Sequence, residues 1–431
     1  MPRRRFFHNN HLKTVLTFKA MKLFKTTLLT LACAACFTTA QAVTACAAQS
    51  ESKCAAAKCE RQNAPVVVGA ARTSEYVPML KGKRVALLSN QTGIVGNKHV
   101  LDLMLENGIK VVTIFSPEHG FRGKADAGEK VGNSVDEPTG IPIASLYDGK
   151  SPMPSKETMS KIDVVVVDLQ DVGLRFYTYY ITMIHMMEAC ARDGKQVVVF
   201  DRPNPNIMYV DGPILDMKFK SGVGALPIPI VYGMTMGELA QMANGEGWLE
   251  GGKKAQLTVV PCENYTRHTR YQLPVAPSPN LPNMISVYLY PSTCFFEGTP
   301  VSLGRGTLAP FQVYGHPDMK AGHQFTFTPR SIPGAKTPPQ LDKLCYGTDL
   351  RNLCADSIIA KGIDLTYVID AYRTLNIGDK FFTRFFDLLA GNDTMRQMIM
   401  AGKSAAEIKA SWQADVAKFK QQRKPYLIYK N

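Results

Sequence analysis

The stretch IKVVTIFSPEHGFRG at residues 109–123 begins with an apolar run that leads directly into a loop of charged residues and glycines. An uninterrupted run of this kind is typical of a buried strand in a parallel sheet. Open α/β sheets bind their ligands beyond the carboxyl ends of such strands. The loop supplies an acid, an imidazole and a guanidinium in Glu118, His119 and Arg122, groups that can exchange protons or pair with a carboxylate. The stretch therefore predicts a parallel sheet with a reaction centre at its edge, and the alternative is a turn whose charges are solvated.

Similar apolar runs alternate with helical patterns through the first part of the chain. Such alternation predicts a parallel sheet with right-handed crossovers and helices on both faces. We therefore predict an α/β fold with a Rossmann-like domain at residues 81–270. No G-x-G-x-x-G motif or P-loop is present in the sequence, so NAD and ATP chemistry are disfavoured. The predicted strands are residues 84–88, 109–115, 141–146, 164–167, 196–200, 228–232 and 257–260, and the predicted helices are residues 98–106, 156–162, 180–192 and 235–244.

Four of the predicted strands end in loops rich in polar residues. Because parallel strands end at one edge of a sheet, we expect these loops to converge there. The alternative is the ordinary polarity of surface loops. The candidate binding residues in these loops are Asn90, Gln91, Thr92, Arg122, Gln170, Asp171, Arg175, Tyr177, Asp201, Arg202 and Asn204, with Asp168 as a further candidate acid.

The composition of the sequence changes near residue 271, because prolines become frequent in and around the segment SPNLP at 278–282. Two glycine-flanked segments follow, FFEGT at 295–299 and GRGT at 304–307. They add Asn280, Glu297 and Arg305 to the candidate site. Short strands and amphipathic helices after them predict a smaller α+β domain at residues 271–431, whose start faces the first domain. The predicted elements there are a strand at residues 324–328 and helices at residues 365–374, 381–389 and 405–420.

The first 42 residues have the pattern of a secretory signal peptide. Residues 21–25 read MKLFK and form a basic n-region, residues 26–35 are mostly apolar, and residues 40–42 read AQA, a small-residue cleavage site. Residues 1–20 then form an upstream extension, and residues 43–80 are assigned to a linker. We predict an exported protein, periplasmic or secreted, without an integral membrane span. A lipoprotein acylated at Cys46 is the alternative.

Composition argues against a nucleic-acid partner and against a structural metal. Of the formal net charge of +14, seven positive charges belong to residues 1–42, and the remaining Lys and Arg are scattered. The ten cysteines show no zinc-finger spacing, and the sequence contains no HExxH motif. Oligomeric state has no signal in the sequence.

Taken together, seven segments resemble the exo-β-N-acetylmuramidase family of glycoside hydrolases. They are SNQTG (89–93), SPEHGFRG (116–123), DLQDVGLRFYTY (168–179), DRPNP (201–205), SPNLP (278–282), FFEGT (295–299) and GRGT (304–307). The resemblance covers roughly residues 85–429. It implies a Rossmann-like domain, a smaller C-terminal domain and an active-site cleft between them. It also implies release of terminal N-acetylmuramic acid from the non-reducing ends of peptidoglycan fragments. It also implies no cofactor, and it places the catalytic acid at Glu118.

Glycoside hydrolysis needs an acid for the leaving oxygen and a second group at the anomeric carbon. Glu118, beside His119, is the candidate acid. The second role is open between Asp168, Asp171, Glu297 and the acetamido group of the substrate. A bidentate Arg would select the lactyl carboxylate of muramic acid, and the candidates are Arg122, Arg175, Arg202 and Arg305. The alternative functions are a cell-wall amidase or deacetylase, and a periplasmic protein that binds amino sugars or muropeptides without cleaving them.

Overall fold

The structure is a computed structural model that describes residues 64–117, 121, 132–146 and 151–430. From Val66 onward the chain forms one compact unit. The predicted signal peptide, linker residues 43–63, and Glu118, His119 and Arg122 lie outside the described residues. The division into domains at residues 81–270 and 271–431 stays a prediction.

The larger sheet contains seven strands, six of them parallel. In chain order the strands of the described residues are β1 (Val85–Ser89), β2 (Ile94–Val95), β3 (Lys98–His99), β4 (Val111–Ser116), β5 (Ser134–Asp136), β6 (Ile141–Ser145), β7 (Val164–Asp168), β8 (Gln196–Phe200), β9 (Gln256–Val260), β10 (Val313–His316), β11 (Phe325–Phe327) and β12 (Cys345–Asp349). The seven-stranded sheet has the order β5-β6-β4-β1-β7-β8-β9, with β5 antiparallel to β6 at one edge. Counted along the parallel strands alone, this is the 3-2-1-4-5-6 order of a Rossmann fold. The α/β prediction is confirmed.

Strand register brings the ends of β1 and β7 level. Ser89 pairs with Asp168, and Leu88 pairs with both Val167 and Phe115. The strand order reverses between β1 and β7, because β4 follows β1 on one side and β7 lies on the other. Such a switch point opens a crevice at the carboxyl ends of the strands.

Alternating side chains of the central strands pack into two hydrophobic cores, one on each face of the sheet. On one face Leu87 and Val166 pack with Tyr76 and Leu80. On the other face Leu88 and Val167 belong to the main core, which extends into the C-terminal part of the chain. β7 is therefore buried at every residue, as its run of valines predicts for a central parallel strand.

Twelve α-helices complete the described chain. They are α1 (Thr73–Leu80), α2 (Val100–Glu106), α3 (Lys156–Ser160), α4 (Tyr179–Asp193), α5 (Met236–Gly245), α6 (Met284–Thr293), α7 (Ala355–Lys361), α8 (Thr366–Leu375), α9 (Arg384–Ala390), α10 (Thr394–Met400), α11 (Ala405–Ala410) and α12 (Gln413–Gln422). The C-terminal region has its own sheet, in the order β10-β12-β11. A smaller C-terminal α+β region is thus present, as predicted.

Three elements differ from the sequence prediction. Residues 228–232 were predicted as a strand, but they make only isolated bridges through Val231. Residues 405–420 were predicted as one helix, but α11 and α12 are separated at Ser411 and Trp412. Residues 73–80 were assigned to the linker, whereas they form α1, whose Tyr76 and Leu80 are fully buried.

Within the described ranges, no helix has the length and apolar character needed to cross a membrane. The cysteines at 190, 262, 294, 345 and 354 carry free thiols.

Candidate active site

The loops after β1, β7 and β8 are joined by hydrogen bonds between residues predicted to bind substrate. The Thr92 hydroxyl donates to Asn90 Oδ1 at 2.6 Å and accepts from the Gln170 backbone N–H at 3.1 Å. The Gln170 side chain donates to the Pro203 carbonyl at 2.7 Å. Asn90, Thr92 and Gln170 are all buried. The structure therefore brings these loops together at one edge, and among the described residues Asn90 Nδ2 and Gln170 Oε1 are buried there without a hydrogen-bond partner.

Asp168 and Arg202 form a buried, bidentate ion pair. Arg202 Nε lies 2.5 Å from Asp168 Oδ1, and Nη2 lies 2.8 Å from Oδ2. Neither side chain exceeds 1% exposure. Arg202 also donates to the Ile94 carbonyl at 3.1 Å. This geometry fastens the β2–β3 hairpin to the edge of the sheet, and it leaves neither charge accessible to a sugar in this conformation.

Arg175 is fully buried and donates to four backbone carbonyls. Nη1 reaches Pro213 and Ile228, at 2.7 and 2.8 Å, and Nη2 reaches Leu389 and Ala390, at 3.0 and 2.7 Å. Burial lowers its pKa to about 10. The guanidinium thus ties the loop after β7 to the end of α9, a contact 215 residues apart in sequence, and it is not presented to a ligand.

Asp201 and Asn204 also serve the packing of the loop after β8. Asp201 Oδ2 accepts from the hydroxyls of Thr235 and Tyr429, each at 2.6 Å. Burial raises the pKa of Asp201 to about 6, although these hydrogen bonds oppose the rise. The Asn204 side chain donates to the Met234 carbonyl at 2.8 Å. The last residues of the chain are held against the sheet by this cluster.

Asp171 is a buried carboxyl with one unpartnered oxygen. Its Oδ1 accepts from the Tyr232 hydroxyl and the Gly173 N–H, each at 2.5 Å. Its Oδ2 is buried without a hydrogen-bond partner. Burial raises the pKa of Asp171 to about 7, even though both hydrogen bonds oppose that rise. Among the described residues, no cation pairs with this acid to stabilise its charged form.

We expect Asp171 to make the protein less stable as the pH rises. A carboxyl whose folded-state pKa is raised stabilises the fold fully below its unfolded-state pKa, and that contribution is lost as the pH rises to about 7. Asp171→Asn keeps the acceptor for Tyr232 and removes the charge. Urea unfolding between pH 4 and pH 8 should show that the wild-type free energy of unfolding falls by about 3–4 kcal/mol more than that of the variant, because the pKa is raised by about three units.

Asp163→Asn is the control for this measurement. Arg84 holds the pKa of Asp163 below its ordinary value, and the pair is partly exposed. Its contribution is therefore lost as the pH falls below 4, outside the window measured for Asp171. Parallel stability curves for the wild type and Asp171→Asn would contradict the raised pKa.

A cavity of about 280 Å³ lies where the segment after Arg175 meets the segments 278–281 and 297–311. We call it the aromatic cavity. It is lined by Phe176, Tyr177, Thr178, Tyr179, Gly222, Val223, Ser278, Asn280, Leu281, Tyr290, Glu297, Arg305, Phe311 and Phe385. Four predicted site residues therefore share one cavity: Tyr177, Asn280, Glu297 and Arg305.

The Pro277 carbonyl connects the aromatic cavity to the edge of the sheet. It accepts from the Tyr177 hydroxyl at 2.8 Å and from the Tyr179 hydroxyl at 3.3 Å. Gln91 Nε2, from the loop after β1, lies 3.5 Å from the same oxygen. This single carbonyl fixes the SPNLP segment against the loops after β1 and β7.

Glu297 and Arg305 form the charged part of the aromatic cavity. Arg305 Nε and Nη2 lie 3.1 and 2.5 Å from the same carboxylate oxygen, Glu297 Oε1. Each side chain is about one-fifth exposed. Glu297 Oε2 and Arg305 Nη1 have no protein partner among the described residues, and Glu297 is the only acid among the residues that line the cavity. The pairing with Glu297 raises the pKa of Arg305 although burial opposes it.

Sequence reasoning missed several residues of the aromatic cavity. Tyr290 lies in the buried helix α6, and Phe385 lies near the start of α9, so neither carries a signal that separates it from core residues. Phe176, Thr178, Tyr179 and Ser278 lie within the quoted segments 168–179 and 278–282, so these four could have been recovered from the sequence. Phe121, in the segment SPEHGFRG, packs edge-to-face on His99 with ring centroids 4.9 Å apart.

These features define an α/β protein with a small, aromatic-lined cavity that contains one carboxylate and one guanidinium. Residues 85–285 match the family description "Exo-beta-N-acetylmuramidase NamZ, N-terminal", and residues 288–429 match "Exo-beta-N-acetylmuramidase NamZ, C-terminal". The chain belongs to this family of glycoside hydrolases, as the resemblance indicated.

Individual relatives agree with the family match. The chain is 40% identical over 374 residues to the peptidoglycan beta-N-acetylmuramidase NamZ of Bacillus subtilis, covering 82% of this chain and 89% of the relative. A crystal structure of a DUF1343 family protein from Bacteroides fragilis is 60% identical, with a TM-score of 0.80, and covers 85% of this chain and 100% of its own. A second DUF1343 protein from that organism is 27% identical, with a TM-score of 0.73, covering 85% and 99%.

Proposed function

We propose that this protein is an exported, exo-acting hydrolase that releases terminal N-acetylmuramic acid from the non-reducing ends of peptidoglycan fragments. The observation that carries the proposal is the 40% identity to the B. subtilis muramidase across 82% of this chain and 89% of the relative. Export rests on the signal-peptide pattern of residues 1–42.

The aromatic cavity suits a single sugar unit. Its volume of about 280 Å³ is just below the range of about 300–1,000 Å³ that is typical of small-molecule pockets. Phe176, Tyr177 and Tyr290 give it apolar surface, while Asn280 and Ser278 give it hydrogen-bonding groups. This combination supports binding of a sugar ring, which has apolar faces and a polar rim.

Two glutamates are assigned the catalytic roles. Glu118 follows the end of β4 by two residues and is proposed as the general acid that protonates the leaving oxygen. Glu297 is proposed as the second carboxylate, because it lines the aromatic cavity and its Oε2 is not engaged by the described protein. Asp168 and Asp171 are poorer candidates, since the first is neutralised by Arg202 and both are buried. The acetamido group of the substrate is the alternative to Glu297.

Among the three described arginines considered for the lactyl carboxylate, Arg305 is the one that lines a cavity. Arg175 is occupied by four carbonyls and Arg202 by Asp168. Arg305 already holds Glu297 through two nitrogens, so its remaining nitrogen would donate to the substrate. We therefore assign recognition of the lactyl carboxylate to Arg305.

The purified protein is expected to hydrolyse a chromogenic β-glycoside of N-acetylmuramic acid in preference to that of N-acetylglucosamine. Glu297→Gln should lower kcat by about 100-fold, because the amide can neither attack the anomeric carbon nor activate water. Initial rates over a range of substrate concentrations measure both effects.

Glu157→Gln is the matched control, since Glu157 is exposed and pairs only with Lys161 among the described residues. Absence of turnover by the wild type would refute the proposed function. Wild-type kcat in Glu297→Gln would instead remove this carboxylate from the reaction and favour assistance by the acetamido group.

A further inference from the structure

Phe311 has a backbone conformation that bulky residues rarely adopt. Its φ is +62°, in the left-handed region, where a side chain crowds the following carbonyl. It is aromatic and only 2% exposed. Strain of this kind persists where the surrounding structure imposes it, and it is frequent at functional sites. The other non-glycine residues with positive φ in the described part of the chain are all polar: Asn264, Gln340, Asp342 and Asn376.

The conformation of Phe311 closes a turn at residues 303–311. The Phe311 N–H donates to the Leu303 carbonyl at 2.7 Å, which joins the two ends of the turn. The Thr293 hydroxyl, at the end of α6, donates to the Phe311 carbonyl at 3.2 Å. Both polar backbone groups of Phe311 are therefore held by neighbours, and these contacts fix the residue at its positive φ.

The ring of Phe311 contacts an aromatic side chain and a cation. It packs edge-to-face on Tyr290, with ring centroids 4.6 Å apart. The Arg305 guanidinium lies over the ring, with Cζ 5.1 Å from its centroid. A guanidinium within roughly 6 Å of an aromatic ring is attracted by the negative face of the ring, and more strongly where water is excluded. Phe311, Tyr290 and Arg305 all line the aromatic cavity.

The contact with Phe311 restricts the ion pair between Arg305 and Glu297. Arg305 Nε and Nη2 both donate to one carboxylate oxygen, Glu297 Oε1. Two bonds to two carboxylate oxygens would fix the planes of both groups, whereas two bonds to one oxygen leave the guanidinium able to turn about that atom. Turning would take the guanidinium off the Phe311 ring. The ring therefore supplies the orientation that the ion pair lacks.

We propose that Phe311 is a positioning residue, whose ring holds Arg305, and through Arg305 the Glu297 carboxylate, in place at the aromatic cavity. Because Phe311 is almost completely buried, it acts through the guanidinium and not as a stacking surface for the sugar. The inference rests on the proposed function, in which Glu297 assists at the anomeric carbon and Arg305 recognises the lactyl carboxylate. Loss of the ring should therefore lower both the rate and the preference for muramic acid.

Fluorinated phenylalanines at position 311 test the contact with little change in the shape of the side chain. Each added fluorine weakens the negative face of the ring, so kcat/KM on a chromogenic N-acetylmuramic acid glycoside should fall stepwise, by about tenfold for the pentafluoro ring. The preference for this glycoside over that of N-acetylglucosamine should fall in parallel. The same series at Phe381 is the control, because this phenylalanine is fully buried, packs on Tyr372 and does not line the aromatic cavity.

A double-mutant cycle tests whether Phe311 acts through Arg305. Phe311→Leu should lower kcat/KM about tenfold in the wild type and less than twofold when Arg305→Met is already present. The same four proteins, unfolded in urea, report the contact without any substrate, and their losses in the free energy of unfolding should be less than additive.

Fluorinated rings that leave kcat/KM at the wild-type value, or additive losses of stability in the cycle, would overturn the proposal. If the wild type hydrolysed no muramic acid glycoside, the proposed function would be refuted, while the urea cycle would still decide whether Phe311 holds Arg305. The two failures can therefore be told apart.

Discussion

Replacing Glu118 by glutamine is expected to lower kcat on a muramic acid disaccharide by about 1,000-fold while changing KM by less than a few-fold. General acid catalysis contributes about 10²–10⁴ to a rate, and an amide has the shape of the acid without its transferable proton. The position follows directly from the sequence of β4, because Ser116 ends the strand and Pro117 precedes the acid. Release of N-acetylmuramic acid from the disaccharide, followed by chromatography, measures the loss.

The leaving group offers an internal control for this role. When the leaving group of a glycoside is a strongly acidic phenol, it departs without protonation. Glu118→Gln should therefore lower kcat far less on such a glycoside than on the disaccharide. Glu157→Gln should behave as the wild type on both. Equal losses on the two substrates would show that Glu118 acts other than as a proton donor, and full activity would remove it from the mechanism.

The sheet was predictable because the amino-acid composition of its strands reflects how deeply they are buried. Residues 164–167 are four valines, and a β-branched run of this kind fits a strand buried on both faces. Residues 228–232 are equally apolar, yet they make only isolated bridges through Val231. Their burial comes from the main core rather than from a sheet. Hydrophobicity alone could not separate these two cases.

The edge of the sheet was predictable, but the direction of its side chains was not. The positions of the strand ends predicted that the loops containing Asp168, Arg175 and Arg202 would lie near one another. The strand pattern could not predict that Arg175 donates to the carbonyls of Leu389 and Ala390, which are more than 200 residues away in sequence. Partners at such separation leave no local pattern. Asp168, Arg175 and Arg202 are therefore structural in this conformation. Among the described residues, the charged groups of the aromatic cavity come instead from the segments at 297–305.

This division suggests how the protein keeps its cavity in shape. The buried network around Asn90, Thr92 and Gln170 holds the loops after β1 and β7 in place. The Pro277 carbonyl accepts hydrogen bonds from Tyr177 and Tyr179 and so fixes the positions of these two side chains. Well-held supporting groups keep a site in its productive geometry. We expect changes in the network to act first on stability and only afterwards on substrate preference.

Arg202→Met provides the strongest test of that expectation. Removing one partner of a buried ion pair leaves the other charge uncompensated, which costs about 3–5 kcal/mol. We expect a loss of this size in the free energy of unfolding, measured by urea denaturation, because Asp168 and Arg202 are almost completely buried. The double variant Asp168→Asn with Arg202→Met should lose less than the sum of the single losses, since it leaves no buried charge behind.

Arg84→Met is the matched control, because the Arg84–Asp163 pair is exposed by about two-fifths and should matter little. Substrate preference separates the structural role of Arg202 from the binding role that the sequence allowed. If Arg202 held the lactyl carboxylate, the folded variant would lose its preference for muramic acid over N-acetylglucosamine. Because the pair is buried, we expect the folded Arg202→Met variant to keep that preference while its free energy of unfolding falls. A variant with wild-type stability and no preference would show instead that Arg202 binds the substrate.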